Sequence, residues 1–580
     1  MKSFIKKYIN KSLLTSVSMA LLVAGGSVMT SCSDSFMEDL NTDKTKGSTL
    51  DPNAQLTTAL LQTYGDFDMM DTYRCYITGF TQYYAGGWNV TYHAGSVYYD
   101  NTYASKMWNK LYNVGLKNLV DAIAHTEDLK NLNAALRIHR VYVLSVITDT
   151  YGDAPCLEAG KGYLEGISNP KYDKQEDIYN YFFEELAACE AQLGTGTDRI
   201  SGDVTSLEGD VAAWKRYANS LRMRFAMRIS DVAPEKAKAE FEKAVAAGYI
   251  ADASQDAYVK HVDAPFTLYT GATKLDFRAN ALGEMLYGQD PTSPTFVSST
   301  LFNEMQNTND PRLYRISRHY LNAKRKDVQA DAEGNVDVTD EFIAYLQRNN
   351  LKEQPCNPGQ AWYDDWVDAP VNSEIPTLER LVAQNPDAGY DQNNCNVRMM
   401  RPFLSIDFEQ AQCPGILFTS AEAEFLLAEA ATKGWNVQGD AESHYEAGVR
   451  ASMKLLNDYY LSKNKISDDE INNFIAANKL GSNPKETINT QAWILHLTNP
   501  IEGYANLRRS DYPVLQDRSK LSKYDNYNYD ENLSTPTRLK YPMLESKYNT
   551  ANYNEAIERL GGTDDWHKRV WWDTAEINVK

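Results

Sequence analysis

The spacing of apolar residues in several long stretches is the feature that most restricts the fold. Between residues 132 and 147, one side of a helix is marked by Leu132, Leu136, His139, Val143 and Val146. Residues 211–225 repeat this spacing behind Asp210, whose side chain suits a helix N-cap. A third region covers about 420–500, where Gly434 is expected to end a helix. The pattern predicts a mainly α-helical protein.

Segments rich in Pro, Gly, Asn and Asp separate the helical stretches. We predict a helical scaffold over about 53–260 and 415–500, and a loop-rich, strand-poor part over about 261–414 and 501–580. The whole of 53–580 is expected to form a single domain. Loops carried by a rigid scaffold are where binding residues usually lie.

Two short patterns refine this prediction. An alanine-rich helix followed by a short turn and a second helix, as around residues 424–456, resembles a tetratricopeptide unit. Such units expose a concave surface or brace a partner. The sequence Ala-Glu-Gly-Asn at residues 332–335 predicts a hairpin turn inside the loop-rich part.

The amino terminus has the layout of a secretory signal. Four lysines precede an apolar run at residues 13–24 that is too short to span a bilayer. Met29-Thr30-Ser31-Cys32 resembles a bacterial lipobox, in which the cysteine thiol receives the lipid. We predict that residues 1–31 form a signal peptide that is removed, and that Cys32 is acylated with fatty acids such as palmitate.

Residues 32–52 are polar and are predicted to form a flexible tether between the lipid and the folded body. Their first part carries Asp34, Glu38 and Asp39 and resembles the acidic signal that sends some lipoproteins to the cell surface. The alternative is plain secretion, with Cys32 as an ordinary cysteine. The remaining six cysteines are scattered without a CxxC pair, so the sequence leaves open whether they are disulfides or buried thiols.

Several motifs, in this order along the chain, carry a family resemblance. They are the segments 151–159 (YGDAPCLEA), 170–179 (PKYDKQEDIY), 214–224 (WKRYANSLRMR), 309–313 (NDPRL), 422–430 (EAEFLLAEA), 507–513 (LRRSDYP) and 538–542 (RLKYP). Behind the lipobox, this series resembles the SusD/RagB family of nutrient-binding outer-membrane lipoproteins, in its second SusD-like subgroup.

The resemblance implies a helical fold with four tetratricopeptide-like units and a loop-rich half. It also implies a SusC-like TonB-dependent transporter as the standing partner, which the lipoprotein covers from the cell exterior. Ligands of the family are mostly oligosaccharides, and peptides in some members. No cofactor other than the lipid on Cys32 is expected. The net charge of -20 makes nucleic acid an unfavourable partner.

Aromatic clusters in loops are the candidate ligand sites, because aromatic rings cover the apolar faces of sugars while amides read the hydroxyl edges. In the densest cluster, at residues 82–99, we predict ligand contacts by Tyr84, Trp88, Asn89, Tyr92 and Tyr98. Packing against Trp108 is the alternative for this cluster. A second cluster at 360–366 contains Trp362, for which contact with a transporter is an equal alternative.

Other motif residues are expected to be structural. Arg312, Arg508 and Arg509 are predicted to fix loops by fork-shaped hydrogen bonds to carboxylates or carbonyls. Asp149, Asp153 and Asp173 are expected to act in the same way near turns. Trp566, Trp571 and Trp572 are expected to pack near the carboxy terminus, and His139 to lie in the core.

The main alternative to a binding protein is an enzyme. The sequence contains no GxSxG nucleophile motif and no HExxH metal motif among its eight histidines, so neither a serine hydrolase nor a zinc site is expected. A carboxylate pair for glycoside hydrolysis stays open, because its members can be far apart in sequence. A structural calcium ion and a purely structural lid also stay open. The sequence favours the interpretation that the protein binds its ligand and leaves it chemically unchanged.

Overall fold

Helices make up most of the chain, which confirms the mainly α fold class. The computed structural model describes residues 50–264, 266–267, 274–286, 295–322, 335–360, 396–397, 400–521 and 529–580. The helices of eight or more residues in this part are α1 (Pro52–Gly65), α2 (Lys117–Ala124), α3 (Lys130–Tyr151), α4 (Gln175–Gln192), α5 (Val211–Arg228), α6 (Pro234–Ala247), α7 (Ser299–Asn307), α8 (Thr339–Arg348), α9 (Ser420–Thr432), α10 (Ala441–Tyr459), α11 (Asp468–Ala477), α12 (Pro484–Leu495), α13 (Pro500–Ser510) and α14 (Thr550–Arg559).

Shorter helical turns connect these helices. The short α-helices are Phe67–Thr72, Thr78–Phe80, Trp88–Val90, Asn101–Ala104, Lys106–Lys110, Gly162–Glu165, Ala281–Leu286, Leu313–Ile316 and Glu545–Tyr548. The π-helical turns are Tyr73–Ile77, Thr91–Gly95 and Leu111–Leu116, and the 3-10 turns are Ala253–Gln255, Ile406–Phe408, His496–Thr498 and Arg518–Lys520.

The strands are short and lie mostly in the predicted loop-rich part. They are β1 (Tyr84–Ala85), β2 (Ala257–Val259), β3 (Phe266–Thr267), β4 (Lys274–Leu275), β5 (Phe296–Val297), β6 (Ser317–Arg318), β7 (Tyr320–Asn322), β8 (Asn335–Asp337), β9 (Asn396–Val397), β10 (Phe403–Leu404) and β11 (Gly415–Phe418). One sheet has the strand order β1-β5-β10-β6. β7 pairs with β8 in antiparallel fashion, with Asn322 opposite Asn335. The hairpin turn predicted at residues 332–335 lies, apart from Asn335, outside the described residues.

The helix ends follow from local sequence. The carboxylate of Asp210 accepts a hydrogen bond from the Ala213 N–H at 2.7 Å and caps α5, as predicted. Gly434 follows α9 with a φ of 70°, a left-handed conformation that glycine adopts without a steric penalty. The predicted helix boundaries at these two positions are therefore confirmed.

The long helices pack in consecutive pairs and form one continuous platform. α3 packs on α4, α5 on α6 and α9 on α10, and these pairs meet where α4 contacts α5 and α5 contacts α9. Residues Asp51–Lys580 form one compact unit. His139 is fully buried on the inner face of α3, where its Nε2 lies 3.2 Å from the Thr63 hydroxyl, which confirms its core position.

Three buried ion pairs connect α5, α9 and α13. Arg224 on α5 meets Glu422 on α9 with Nε and Oε1 2.6 Å apart. Arg228 on α5 meets Glu502 on α13 at 2.5 Å. The third pair closes the triangle between α9 and α13. There, both terminal nitrogens of Arg509 donate to Glu429, each at 2.7 Å.

The predicted structural role of the motif arginines is confirmed. Arg312 forms a forked contact with Asp310 in which Nε and Oδ1 are 2.9 Å apart. Arg508 donates to two carbonyls, those of Tyr504 at 3.0 Å and Thr537 at 2.9 Å. These guanidinium groups are fixed within the protein and are not directed at a ligand.

Of the predicted aspartates, Asp173 binds the backbone of a turn, and Asp149 lies inside α3 and bonds across the core. The Asp173 carboxylate accepts from the backbone N–H of Cys156 and of Leu157 at 2.9 Å. Asp149 accepts from the indole N–H of Trp572 at 2.9 Å. Trp572 is 1% exposed and Trp566 is also 1% exposed, so both pack in the core as expected.

The sequence-based boundary at residue 500 is wrong, because α13 lies in the part predicted as loop. Every residue of α13 is buried, including Glu502, Asn506, Arg508 and Arg509. These polar side chains are buried because they are paired, so the helix lacks the apolar spacing that normally reveals a buried face. α7, α8 and α14 are further helices in the predicted loop regions.

Three of the cysteines are resolved as free thiols. Cys75, Cys156 and Cys189 are buried and form no disulfide. Burial raises the pKa of Cys156 and of Cys189 to about 12, so both thiols are protonated at neutral pH. Across the described part of the chain, every helix is too short or too polar to traverse a lipid bilayer.

We expect the Arg509–Glu429 pair to make stability depend on pH. Burial alone would raise the pKa of Glu429, but Arg509 outweighs it and lowers the pKa to about 2. The ionised carboxylate therefore stabilises the fold above its unfolded pKa of about 4.3, and this contribution is lost as pH falls towards 2. The substitution Glu429→Gln should lower the unfolding free energy by about 3–5 kcal/mol at pH 7, because it leaves Arg509 buried and unpaired.

Urea unfolding at pH 7 and at pH 3 measures this effect. The difference between wild type and Glu429→Gln should shrink at pH 3. The matched control is Glu208→Gln, which breaks the exposed pair with Lys260 and should leave the free energy of unfolding close to that of wild type. Equal effects of the two substitutions would contradict the prediction.

Candidate ligand-binding surface

The predicted aromatic cluster begins in the core and then reaches the surface. The Tyr83 hydroxyl donates to the Trp493 carbonyl at 2.6 Å, and the two rings stack with centroids 5.0 Å apart. The Trp493 indole N–H in turn donates to the Thr81 carbonyl at 3.0 Å. α12, which carries Trp493, therefore anchors the start of the cluster to the platform.

The predicted ligand contact by Tyr84 is not supported by its position. Tyr84 lies in β1 opposite Val297 and is 3% exposed. Its side chain lines a small internal cavity of about 30 Å³ together with Tyr64 and Phe408. The strand holds this ring between the sheet and the helices, so Tyr84 is a core residue.

Asn89, Tyr92 and Tyr98 form the candidate ligand surface. All three are half-buried and are the predicted contacts that reach solvent. Asn89 and Tyr92 are three residues apart on successive helical turns, which brings them to the same side. The rings of Tyr92 and Tyr98 have centroids 5.1 Å apart and are inclined by 56°. The side chains of Trp88 and Trp362 lie outside the described residues.

A buried histidine supports this surface from below. The His93 ring lies 5.2 Å from the Tyr92 ring and 4.7 Å from the Tyr103 ring. Its Nδ1 lies 2.7 Å from the Asn89 carbonyl, which can only accept, so Nδ1 carries the proton. Burial lowers the pKa of His93, which keeps the ring neutral at physiological pH. The histidine therefore fixes the backbone of Asn89 and the plane of Tyr92.

The first aromatic cluster contacts Gly359 and Gln360, the residues that directly precede Trp362 and its neighbours. The Thr91 hydroxyl donates to the Gln360 carbonyl at 3.0 Å. A Cβ atom added at Gly95 would lie 2.6 Å from the Gly359 Cα, so the two backbones touch. The segment that leads into residues 361–366 thus lies directly beside the ligand surface.

A third segment reaches the same place, and the sequence analysis missed it. The Asp530 N–H donates to the Ser96 carbonyl at 3.1 Å. Trp566 lies behind this region in an edge-to-face contact with Tyr99, with the two ring centroids 5.5 Å apart. The sequence could not place Asp530 beside Ser96, because the two residues are hundreds of positions apart along the chain.

Glu422, His496 and Glu502 could offer ligand atoms within 4.8 Å of one another, although no metal site was expected. Both carboxylates are already paired, with Arg224 and Arg228. Burial alone would raise the pKa of Glu502, but the two arginines outweigh it and lower the pKa. Two fixed guanidinium charges oppose a divalent cation here, and the burial of the group excludes a bulky sugar.

The fold defines the chain as a helical-platform protein, and the half-buried rings of Tyr92 and Tyr98 lie at its surface. A family model described as "Starch-binding associating with outer membrane" matches residues 43–360. A second model, described as "Susd and RagB outer membrane lipoprotein", matches residues 387–573. The chain belongs to the SusD-like family of outer-membrane proteins.

Solved structures agree with this assignment. A structure described as "Bacteroidetes AC2a SusD-like" is 38% identical, covers 91% of this chain and 100% of its own, and has a TM-score of 0.81. One described as a chitin-binding protein is 30% identical, covers 90% and 100%, and has a TM-score of 0.70. A SusD homologue from Bacteroides ovatus is 19% identical, covers 90% and 99%, with a TM-score of 0.64, and shows the shared fold. A search of curated proteins found no match.

We expect the close contact of Gly95 and Gly359 to be required for the shape of the surface. In Gly95→Ala, the added methyl group would press on the Gly359 backbone, which cannot rotate away as a side chain would. Such overpacking costs about 1–3 kcal/mol. Urea unfolding should therefore show Gly95→Ala destabilised by about this amount.

Gly481→Ala is the matched control, because a Cβ atom there would meet nothing within 4 Å. It should be close to neutral in the same measurement. A Gly95→Ala variant as stable as wild type would show that the two segments separate freely.

Proposed function

We propose that the chain is a cell-surface lipoprotein that binds a nutrient oligosaccharide without changing it and passes it to a SusC-like TonB-dependent transporter. Acylation of Cys32 would hold the protein in the outer membrane, facing the exterior. The observation that carries the proposal is the surface formed by Asn89, Tyr92 and Tyr98, which is supported by fixed backbone contacts. The family descriptions of starch binding and of outer-membrane lipoproteins support the same function.

The geometry of the two tyrosines favours an oligosaccharide over a single flat ligand. Rings inclined by 56° cannot both lie against one planar face, but they can each cover a different sugar ring of a bent chain. The half-buried Asn89 can donate from its amide group to a sugar hydroxyl, while its Oδ1 accepts from the Cys75 thiol at 3.9 Å. Desolvation and the neighbouring Tyr98 raise the pKa of Tyr92, so its hydroxyl stays protonated and can donate.

Chitin oligosaccharides are the first ligands to test, because a structure 30% identical to this chain is described as a chitin-binding protein. Starch-derived maltohexaose is the second, since the matching family model is described as starch-binding. Peptides are the third class of ligand to test, and the same titration measures whether they bind. Reducing ends and new amines measured after long incubation should stay at background, because the proposed function leaves covalent bonds intact.

We expect the double substitution Tyr92→Ala with Tyr98→Ala to weaken oligosaccharide binding. Each stacked ring contributes about 0.5–1.5 kcal/mol, so the affinity should fall about 5- to 100-fold. Isothermal titration calorimetry with chitohexaose and maltohexaose measures it.

The matched control is Tyr163→Ala with Tyr548→Ala, which removes two tyrosines that are 93% and 74% exposed elsewhere on the protein. The control should bind like wild type. If the two double variants bound every oligosaccharide equally, the surface would not be the binding site.

Anchoring is tested separately with Cys32→Ala. Each buried methylene of an acyl chain contributes about 0.8 kcal/mol to membrane binding, so loss of the acyl chains should release the protein from washed membranes into the soluble fraction. Immunoblotting of the two fractions measures this. A membrane-bound Cys32→Ala protein would contradict acylation at Cys32. The same wild-type membranes, solubilised in mild detergent, should yield a co-purifying TonB-dependent barrel.

A further inference from the structure

A second recess, the polar cleft, lies at the other edge of the four-stranded sheet. Its lining includes Tyr314, Arg315, Arg318, Asp337, Asp407 and Lys463, and its volume is about 310 Å³. Pockets that hold small ligands begin at about 300 Å³. β1, which leads into the ligand surface, and β6, which carries Arg318, are the outer strands of the sheet. Three strand spacings put these edges about 14 Å apart.

The two arginines of the polar cleft are fixed in its wall. Arg318 donates from Nε to the Asp337 carboxylate at 2.7 Å. Arg315 donates from Nε to the Asn464 carbonyl at 2.9 Å, and its Nη2 lies 2.8 Å from Glu470. Each guanidinium charge is thus opposed by a carboxylate of the protein. These residues shape the cleft and leave little net charge in its wall.

Asp407 differs from the other charged groups of the cleft. Its carboxylate is half-buried and accepts from the Ser462 hydroxyl at 3.1 Å, with the Ser405 hydroxyl 3.5 Å away. Within the described ranges, no Lys or Arg nitrogen lies within 4.0 Å of it. Burial raises its pKa, and the hydrogen bonds from Ser462 and the more distant charge of Arg318 offset this rise only in part. A half-buried carboxylate held only by hydroxyl groups is suited to accept further hydroxyl donors.

Lys463 provides the complementary group at the rim. It is exposed, and in the described part of the chain it forms no ion pair. Once the two arginines are offset, the cleft therefore presents one acceptor carboxylate and one donor ammonium. A strongly anionic ligand would meet the Asp407 carboxylate, and a cationic ligand would meet the Lys463 ammonium. The charges favour a neutral ligand that carries both hydroxyl donors and acceptors.

We propose that the polar cleft is a second saccharide subsite that takes one neutral pyranose unit. Asp407 accepts from neighbouring hydroxyl groups of the sugar, Lys463 donates to its oxygens, and the Tyr314 ring borders its apolar face. The subsite deepens the proposed function and rests on it for the biological ligand. Its binding of a free monosaccharide can be measured independently of that function.

The test is a titration with N-acetylglucosamine and with glucose, at millimolar concentrations, followed by saturation-transfer NMR and by calorimetry. Wild type should bind at least one of the two sugars. Asp407→Asn keeps the side-chain size but removes the charge, so binding should weaken about 10-fold or more, since a hydrogen bond to a charged group contributes about 1.5–3 kcal/mol. Lys463→Ala, at an exposed position, should weaken binding while leaving the melting temperature unchanged.

Two controls separate this subsite from the ligand surface. Asp128→Asn changes an exposed aspartate on another part of the protein and should bind like wild type. Tyr92→Ala with Tyr98→Ala should keep the monosaccharide affinity and lose only the oligosaccharide affinity. Absence of monosaccharide binding in wild type, or equal binding by wild type, Asp407→Asn and Lys463→Ala, would overturn the subsite. Chitohexaose binding that still required the two tyrosines would leave the proposed function standing.

Discussion

Three buried charge pairs between α5, α9 and α13 are the interactions on which the rest of the molecule depends. Each helix contributes to two pairs, so the three contacts close a triangle through Arg224–Glu422, Arg228–Glu502 and Arg509–Glu429. A shift of any one helix would leave charges buried without a partner, at about 3–5 kcal/mol for each broken pair. A hydrophobic contact tolerates a small slide, whereas these contacts do not. The triangle therefore specifies the register of the platform more sharply than apolar packing alone.

α12 connects the ligand surface to these three ion pairs. Asn489 on α12 donates to Glu429 at 3.1 Å, and one turn later Trp493 stacks on Tyr83 and bonds to Thr81. From Tyr83 the chain runs through β1 to Asn89 and Tyr92. Fewer than ten residues separate Tyr83 from Tyr92, so the half-buried Tyr92 ring lies close along the chain to a ring that is fixed on the helices. A preorganised aromatic surface loses less entropy on binding than a mobile loop would.

The spacing of apolar residues was sufficient to predict the helical platform, and Asp210 and Gly434 marked helix ends correctly. The same spacing did not predict α13. That helix is buried through paired charges, and apolar periodicity carries no information about such pairs. The candidate surface was predicted in part: Tyr92 and Asn89 reach solvent, whereas Tyr84 does not. A loop composition rich in tyrosine and glycine cannot show which ring faces inward, because that depends on Trp493 and Phe408, which are hundreds of residues away. The sequence also could not show that Gln360 and Asp530 lie beside this surface, because both are hundreds of residues away from it along the chain.

The two proposed recognition elements, the ligand surface and the polar cleft, would differ in which features of a sugar they can discriminate. Stacking by Tyr92 and Tyr98 responds to the apolar face of a sugar and is tolerant of the orientation of individual hydroxyl groups. A half-buried carboxylate such as Asp407 responds to that orientation, because a misplaced hydroxyl leaves it without a donor. The ligand surface and the polar cleft lie at opposite edges of one sheet. A long saccharide chain could therefore be held by the two tyrosines while one of its sugar units is bound by Asp407 in the cleft. Selectivity among sugars would then reside in a cleft with few aromatic groups, which explains why aromatic content alone did not reveal it.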